Sequence, residues 1–552
     1  MLLFDDVYSD MLDSIRKVLP ETNSSDLALD KTGRCDYSFR TFRLSKLTGK
    51  NLDQISELVS PAIRGLPFVG KIKNESGYLN IFIKDSFFLD SVRRYLDERK
   101  QYPDTFQDPE RVLVEHTSTN PTGPIHIGRS RNSVIGDSLA RILLRYGYRV
   151  TTQYYVNDSG KQVAALYRGF EMFHPGETPT VDSLLSGYQK IYSEMQDRQK
   201  EKELIDPVIQ SYENGDKEVI EKIREYCSIM LAGIRESMLS IGIKIDDYVW
   251  ESSFLDGGEL NQVFESLSDR TEDDGGAKYI TLPDGAKVYL RRSNGTSLYF
   301  ARDIAYHIFK AMNADWVIDV LGEDHKDHAR HLSTVLKEYM DYKPRIDFVT
   351  YGFMSLEGSK FATRMGNIVT LDDLLARTIE EALKVVKEKR PDMPPEKLAD
   401  VARNVAISSI RFNIIRVNSV KHVDFRWKEA LSFDGDAAPY ILYAYARAGS
   451  ILNRVGSFEK HMSVEYDAEE RALAKSMFLY PYFLKESVDS LRPEIIAAYC
   501  LDLVKTFNDF YSACQVIGSG VEIEKRVTLI TCFRKILRDA GSLIGIKFLE
   551  EM

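Results

Sequence analysis

The spacing of apolar positions changes several times along the chain, and each change predicts an element. Val112, Leu113 and Val114 form an unbroken apolar run, the pattern of a strand buried on both faces in a parallel sheet. The run leads to Asn120-Pro121-Thr122-Gly123-Pro124, a cluster of turn formers. Beyond it Val134, Ile135, Leu139, Ile142 and Leu143 recur at helical spacing, which predicts a helix beginning near His126. Arg149 to Val156 reads as a second strand and ends in Asn157-Asp158-Ser159-Gly160. Lys287-Val288-Tyr289-Leu290 reads as the strand on which the second half of the same fold resumes, and Trp316 to Leu321 as another apolar strand. A further strand is expected over Phe348 to Met354.

The flanks read differently. Val7 to Val18 is amphipathic at helical spacing, and Tyr78 to Ile83 alternates as a strand with one buried face does. Lys161 to Lys244 is polar, charge-rich and helical in pattern, an insertion between the halves of the sheet. From Pro395 onward the pattern is helical. The expected fold class is α/β, a Rossmann-like doubly wound parallel sheet carrying a helical insertion. The expected divisions are an α+β domain over 1–100, the sheet domain over 101–350 with its insertion at about 161–244, linking helices over 351–430, and an all-α domain over 431–552.

Composition narrows this picture. No run of about twenty apolar residues occurs, so no membrane span is expected. MLLFDDVYSD lacks the basic start of a secretory signal. The five cysteines, Cys35, Cys227, Cys500, Cys514 and Cys532, are scattered and show no metal-ligand spacing. They fit reduced thiols in a cytoplasmic protein with no bound zinc or other metal. A net charge of −10 argues against a protein that coats nucleic acid indiscriminately, but a basic face can be local. Lys31 to Lys84 is such a segment, with Arg34, Arg40, Arg43, Lys46, Lys50, Lys71 and Lys73; a solvated basic face is its plain reading.

A strand feeding a helix through a Gly/Pro turn leaves free backbone N–H groups at the helix start, where the helix dipole also favours an anion. His126 and Arg129 add two cationic donors there, which points to a nucleotide-phosphate site. Gly128 would permit close approach of adenine or ribose. A second cationic stretch, Lys360-Phe361-Ala362-Thr363-Arg364, gains meaning only beside the first. Glu115 at a strand end, with Tyr299 and Asp303 one helical turn apart, supplies the carboxylates and aromatic ring that suit a guanidinium. Taken alone, Asp303 reads equally as a helix-surface acid paired with Arg302 or Lys310. Tyr440, Tyr443 and Arg447 share one side of a helix, as residues that stack on bases do, though a helix core with a surface arginine accounts for them too.

Thr119 to Arg129 resembles the HIGH signature of class I aminoacyl-tRNA synthetases, and Glu115 to Pro124 is similar to its arginyl-tRNA synthetase form. Arg129 departs from the signature, which has a histidine there. Lys360 to Arg364 resembles the KMSKS loop by position, and Gly366 to Leu375 is similar to the same family. Phe361, Ala362 and Thr363 depart from it, and Gly123 stands where enzymes lacking the second loop lysine carry a compensating one. The resemblance implies His126, Arg129, Lys360 and Arg364 as catalytic groups, the two arginines supplying the missing positive charge. It implies an ATP site of Thr119, Asn120, Pro121, Thr122, Gly123, Pro124, Ile125, His126, Ile127, Gly128 and Arg129 with Asp324 and His325. It implies an arginine site of Glu115, Asn120, Tyr299 and Asp303, with no editing domain. Gly77 to Phe82 resembles the end of the family's N-terminal domain, which implies tRNA contacts for Tyr78 and Asn80. Pro439 to Arg447 resembles its DALR anticodon-binding domain, as do Phe507 to Tyr511 and the terminal Glu550-Glu551-Met552. That implies tRNA contacts for Tyr440, Tyr443, Arg447 and Met552. ATP with Mg²⁺, L-arginine and tRNA(Arg) are the implied substrates, used by a monomer. A non-catalytic tRNA-binding paralogue and a HIGH-superfamily nucleotidyltransferase acting on a small acid stand as alternatives.

Overall fold

Short antiparallel strands open the chain. The computed structural model describes residues 3–30, 34–96, 108–195, 197–254, 258–358, 369–457 and 465–552. Strands β1 (Leu27–Leu29), β2 (Tyr37–Arg40), β3 (Val69–Glu75) and β4 (Tyr78–Ile83) form a sheet in the order β1-β2-β4-β3. Helices α1 (Leu3–Val18), α2 (Phe42–Thr48) and α3 (Leu52–Arg64) accompany it, and α4 (Asp85–Leu96) packs on the C-terminal helices. The alternation along β4 buries Leu79, Ile81 and Ile83 and turns Tyr78, Asn80 and Phe82 outward.

The central sheet comes from β5 (Arg111–Glu115), β6 (Arg149–Val156), β7 (Asp247–Trp250), β11 (Trp316–Gly322) and β12 (Arg345–Tyr351). All five are parallel, in the order β12-β11-β5-β6-β7. Val112 and Val114 pack into one core with α5 (Ile127–Tyr146), while Leu113 packs into another with α11 (Tyr299–Asn313) and α12 (Lys326–Tyr339). That alternation is why the run is apolar throughout: helices cover both faces. Chain order reverses between β5 and β11, so a crevice opens there at the strands' carboxyl ends.

The stretch from Lys161 to Ser240 folds as four helices, α6 (Lys161–Phe173), α7 (Val181–Glu194), α8 (Arg198–Glu213) and α9 (Lys217–Ser240), with a small core of their own. Two strand expectations change. Lys287–Leu290 belongs to β10 (Lys287–Arg291), which joins β8 (Thr271–Asp274) and β9 (Ala277–Thr281) in a separate antiparallel sheet rather than the central one. Turns link these three strands in succession, a local pairing that apolar content alone does not distinguish from a central strand. The single strand expected over Phe348 to Met354 breaks at Gly352, and β13 (Met354–Leu356) instead pairs with β14 (Val423–Phe425).

Helices α10 (Gly258–Ser266), α13 (Leu371–Lys389), α14 (Pro395–Ile415) and α15 (Trp427–Ala430) link the parts. The chain then finishes as α16 (Ala438–Arg454), α17 (Ala468–Phe478), α18 (Tyr480–Ser490), α19 (Glu494–Ala513) and α20 (Ile523–Leu543). No helix among the described residues is long and apolar enough to cross a membrane.

Arg411, fully buried on α14, ties these parts together. It forms an ion pair with Asp137 of α5 and donates to the carbonyls of Ile241 and Ile544. A β-carbon at Gly545 would lie 1.7 Å from the Arg411 Nε, and that residue's φ of +82° is left-handed, so two constraints favour glycine there. Replacing Arg411 with methionine leaves Asp137 with Arg141 alone, at 2.8 Å, and strips a donor from the Ile241 and Ile544 carbonyls. The expected cost is roughly 1–3 kcal/mol, read as a fall in the denaturation midpoint; a loss within the error of the measurement would remove Arg411 from this role.

Candidate active site

The signature turn is built on a strained residue. Thr117 has φ +80°, an unusual conformation for a β-branched side chain that costs about 1–3 kcal/mol. Its N–H donates to Asn132 Oδ1 at 2.7 Å and its hydroxyl to Ser133 Oγ at 2.9 Å, so α5 itself holds the turn. Thr119 Oγ1 donates back to the Thr117 carbonyl at 2.8 Å, and Tyr154 donates to the Thr119 carbonyl. The Thr122 N–H closes on the Asn120 carbonyl at 2.8 Å. Pro121, Thr122 and Ile125 are buried, while Gly123 and Pro124 remain at or near the surface. The chain then enters α5 with His126 as the extended residue before its first turn.

His126 and Arg129 sit together at that helix start, but not as two cations. Burial, and then the charge of Arg129, depress the His126 imidazole to about 4, so near neutrality it acts as a neutral donor. This corrects the reading of both as cationic donors. Arg129 is half-buried and has no ion-pair partner among the described residues. A β-carbon at Gly128 would press within 3.1 Å of the His126 ring, so this glycine makes room for the histidine. Ile125 and Ile127 pair with Leu371 and Val369 through backbone hydrogen bonds of 2.9 and 3.2 Å. The segment Val369–Leu371, which follows the expected second cationic stretch in the chain, is therefore fastened to the signature turn. Lys360 and Arg364 themselves lie outside the described residues.

Arg131, also on α5, is fully buried and carries its charge without a carboxylate partner among the described residues. It donates to the carbonyls of Gly352 (2.6 Å), Lys421 (2.7 Å) and Asn418 (3.2 Å), and burial lowers it to about 10. It joins the signature helix to the backbone just before β13 and just before its partner strand β14.

Glu115 ends β5 and faces α11. Its Oε2 accepts from Lys310 at 2.5 Å and its Oε1 from the Ser118 hydroxyl at 3.1 Å. It was expected as a buried carboxylate left for a substrate cation, yet the protein supplies its own counter-ion. Asp303 pairs with neither Arg302 nor Lys310, but with His328 at 2.5 Å. Burial opposes a charge on His328, but the Asp303 hydrogen bond outweighs it and raises the imidazole. Arg302 is taken by Glu251 (2.7 Å) and Ser159 (2.8 Å). Tyr299 is half-exposed at the start of α11, with Asp303 one turn on. Asn120 donates to Gln162 of α6 at 2.6 Å. A cavity of about 590 Å³ opens beside Tyr299, lined among others by Lys161, Arg198, Tyr212, Arg292 and Arg302. Asp324 and His325 follow β11 on the same edge of the sheet as Glu115, exposed and 3.7 Å from each other.

Of the distal residues, Tyr78 is exposed and meets Phe42 edge-on at 5.2 Å. Asn80 donates to Glu75 at 3.0 Å. Arg447 lies over the rings of exposed Tyr443 (4.6 Å) and exposed Tyr511 (5.0 Å). Tyr440 accepts from Asn508 at 2.9 Å. Met552 is buried, and its carbonyl accepts from Arg390 at 2.7 Å, which docks the terminus on the end of α13.

Sequence reasoning missed the contacts of Lys310, His328 and Arg131; it weighs Lys310 only as a surface partner for Asp303. The signal that could have exposed it is its position on the buried face of a helix with Tyr306 and His307.

A parallel sheet with this strand order, a signature turn at its switch point and a helical C-terminal domain define a class I aminoacyl-tRNA synthetase fold. A family described as "tRNA synthetases class I (R), catalytic domain" matches residues 91–427, and a "DALR anticodon binding domain" matches residues 441–552. The arginine–tRNA ligase of Thermoplasma acidophilum is 46% identical over 553 residues, all of both chains. That of Methanocella arvoryzae is 34% identical, covering 96% of each. The Thermus thermophilus arginyl-tRNA synthetase structure superposes with a TM-score of 0.84 at 26% identity, covering 99% of this chain and 100% of its own. The chain belongs to the arginyl-tRNA synthetase family.

His116, fully buried beneath the turn, is depressed to about 4 chiefly by burial. The unfolded chain takes up a proton near pH 6.5 that the native state refuses until about pH 4. Stability is therefore expected to fall as pH drops through this window, by about 2 kcal/mol between pH 7 and 5. Urea midpoints at the two pH values should diverge less in His116→Asn. An unchanged difference would assign the titration to other groups.

Proposed function

We propose that the chain is an arginine–tRNA ligase, joining L-arginine to the 3′-terminal adenosine of tRNA(Arg) at the expense of ATP. The observation that carries this reading is the pairing, at one switch point, of a helix start bearing His126 and Arg129 with Glu115, which faces the helix that carries Tyr299 and Asp303. The first suits triphosphate; the second suits a guanidinium or ammonium.

In the first step the arginine carboxylate attacks the α-phosphorus of ATP and pyrophosphate leaves, giving arginyl-adenylate. His126 donates to a phosphoryl oxygen as a neutral imidazole, so it binds the charge that develops without adding a full repulsive cation beside Arg129. Arg129, with no ion-pair partner among the described residues, meets the polyphosphate, and Mg²⁺ arrives with the nucleotide. Lys360 and Arg364 complete this cationic set in the proposal, and Thr119, Asn120, Gly128, Asp324 and His325 border the nucleotide. Glu115, Asn120, Tyr299 and Asp303 hold arginine, which must displace His328 from Asp303 or share it. In the second step a ribose hydroxyl of the terminal adenosine attacks the activated carbonyl and releases AMP; the class I resemblance implies the 2′-hydroxyl.

Tyr78 and Asn80 of the N-terminal sheet, and Tyr440, Tyr443 and Arg447 of the C-terminal helices, contact tRNA. The Tyr443–Arg447–Tyr511 stack presents flat, cationic surface of the kind single-stranded bases bind. The enzyme acts as a cytoplasmic monomer.

Aminoacylation of total tRNA with radiolabelled arginine should be robust and arginine-specific. No charging, with tRNA still bound, would favour the non-catalytic paralogue. Arg129→Ala and Arg364→Ala are each expected to slow ATP–pyrophosphate exchange by about 10²-fold; near wild-type rates would refute the redistribution of charge. Tyr443→Ala should raise the tRNA KM by about tenfold or more, and deletion of Met552 should raise it more than the ATP KM. Equal effects on both substrates would count against an anticodon role for the terminus.

A further inference from the structure

Three neighbouring strands place Asp319, Glu115 and Gln153 in register, Asp319 opposite Glu115 and Glu115 opposite Gln153. Their side chains lie on the α11 face of the sheet, at the switch point. Two carboxylates directly opposed on neighbouring strands repel, and burial removes the water that would screen them. Each meets a donor from α11. Lys310 Nζ bridges Glu115 Oε2 (2.5 Å) and Asp319 Oδ1 (2.7 Å), His307 Nε2 meets Asp319 Oδ2 at 2.8 Å, and Tyr306 donates to Gln153 at 2.7 Å. Lys310 is fully buried and lies 4.2 Å from the centre of the Tyr306 ring, which stacks on Tyr155.

The same helix carries Tyr299 and Asp303, and His307 Nδ1 meets the Asp303 carbonyl at 2.8 Å. Both His307 nitrogens thus face acceptors. An unbroken chain of contacts runs from Ser118 through Glu115, Lys310, Asp319 and His307 to Asp303. It joins the Glu115 carboxylate to the backbone of Asp303, on two separate elements.

We infer that Lys310 is a positioning residue for arginine recognition: by bridging Glu115 and Asp319 it offsets the repulsion between them and fixes one Glu115 oxygen, so that the other faces the substrate. This rests on the reading of Glu115 as an arginine ligand. Charge balance supports it. Burial, with Asp319 adding to it, holds Glu115 above its ordinary range, and Lys310 opposes that push. Burial likewise disfavours charge on Asp319, but Lys310 and then His307 overcome it and bring that carboxyl to about 2. Among the described groups, those facing Glu115 are Lys310, His307 and Tyr306 of α11, Asp319 of β11, Tyr155 of β6 and the Ser118 hydroxyl. Lys310 is the one among them that holds a cation directly against Glu115. Without it the two carboxylates would share a proton, and each pKa unit gained above the working pH lowers the ionised fraction about tenfold.

The test is steady-state aminoacylation by Lys310→Met, Lys310→Met/Asp319→Asn and Glu115→Gln between pH 6 and 8.5. In Lys310→Met the arginine KM should rise at least about tenfold at pH 6.5 and recover as pH increases, while the ATP KM stays within about threefold of wild type. The double variant removes the repelled partner along with the lysine, so its arginine KM should lose the pH slope yet remain several-fold raised. An arginine KM in Lys310→Met as low and as flat with pH as wild type, with Glu115→Gln raised, would overturn the inference alone. A normal arginine KM in Glu115→Gln would instead overturn Glu115 as a ligand. If Lys310→Met does not fold, the double variant decides: a wild-type arginine KM in it rules out a positioning role.

Discussion

One buried ammonium allows two carboxylates to stand side by side where the sheet reverses direction. Glu115 and Asp319 are register partners on β5 and β11, and Lys310 reaches between them from α11. Desolvating three charges is costly, and the arrangement holds because every member meets a charged or hydrogen-bonding neighbour at close range. The same contacts pin α11 across the strand ends, so they also determine where Tyr299 and Asp303 stand. Two such carboxylates without an internal cation would repel one another. Here Lys310 offsets that repulsion, and the pair stands in the folded chain.

Buried arginines do comparable work elsewhere, by a different route. Arg411 meets a carboxylate and two carbonyls, and so links the signature helix, the end of the helical insertion and the C-terminal domain. Arg131 meets carbonyls, whose dipoles replace a counter-ion and leave the backbone leading into β13 and into β14 in a set position relative to α5. The strained Thr117 belongs to the same scheme: Asn132 and Ser133 of that helix hold it against its conformational preference. The helix that follows the signature turn is thus also the member to which the surrounding parts are fastened.

Neutral His126 beside charged Arg129 shows how neighbours divide labour. Partial burial and an adjacent guanidinium both disfavour imidazolium, so the turn presents one full charge and one neutral donor. A donor that needs no proton uptake keeps its role across the neutral pH range.

Much of the architecture was legible in the order of residues. The apolar run at Val112–Val114, the turn formers after it and the helical spacing through Leu143 determine strand, turn and helix through local geometry and two-sided burial. The alternation from Tyr78 to Ile83 and the i, i+4 spacing of Tyr299 and Asp303 follow from the same periodicities. Lys287–Leu290 was misassigned because strand content does not reveal which sheet a strand joins, and the strand expected to reach Met354 failed because β13 found a partner nearly seventy residues away. Site chemistry divided along the same line. Residue types and spacing at Glu115, His126, Arg129 and Asp303 pointed to phosphate and guanidinium. The pairing of Glu115 with Lys310, of Asp303 with His328 and the neutrality of His126 depend on burial and on side chains distant in sequence. Short-range pattern is written in the chain because it follows from the period of helix and strand; charge state and ion pairing arise only when folding removes water and brings remote groups together.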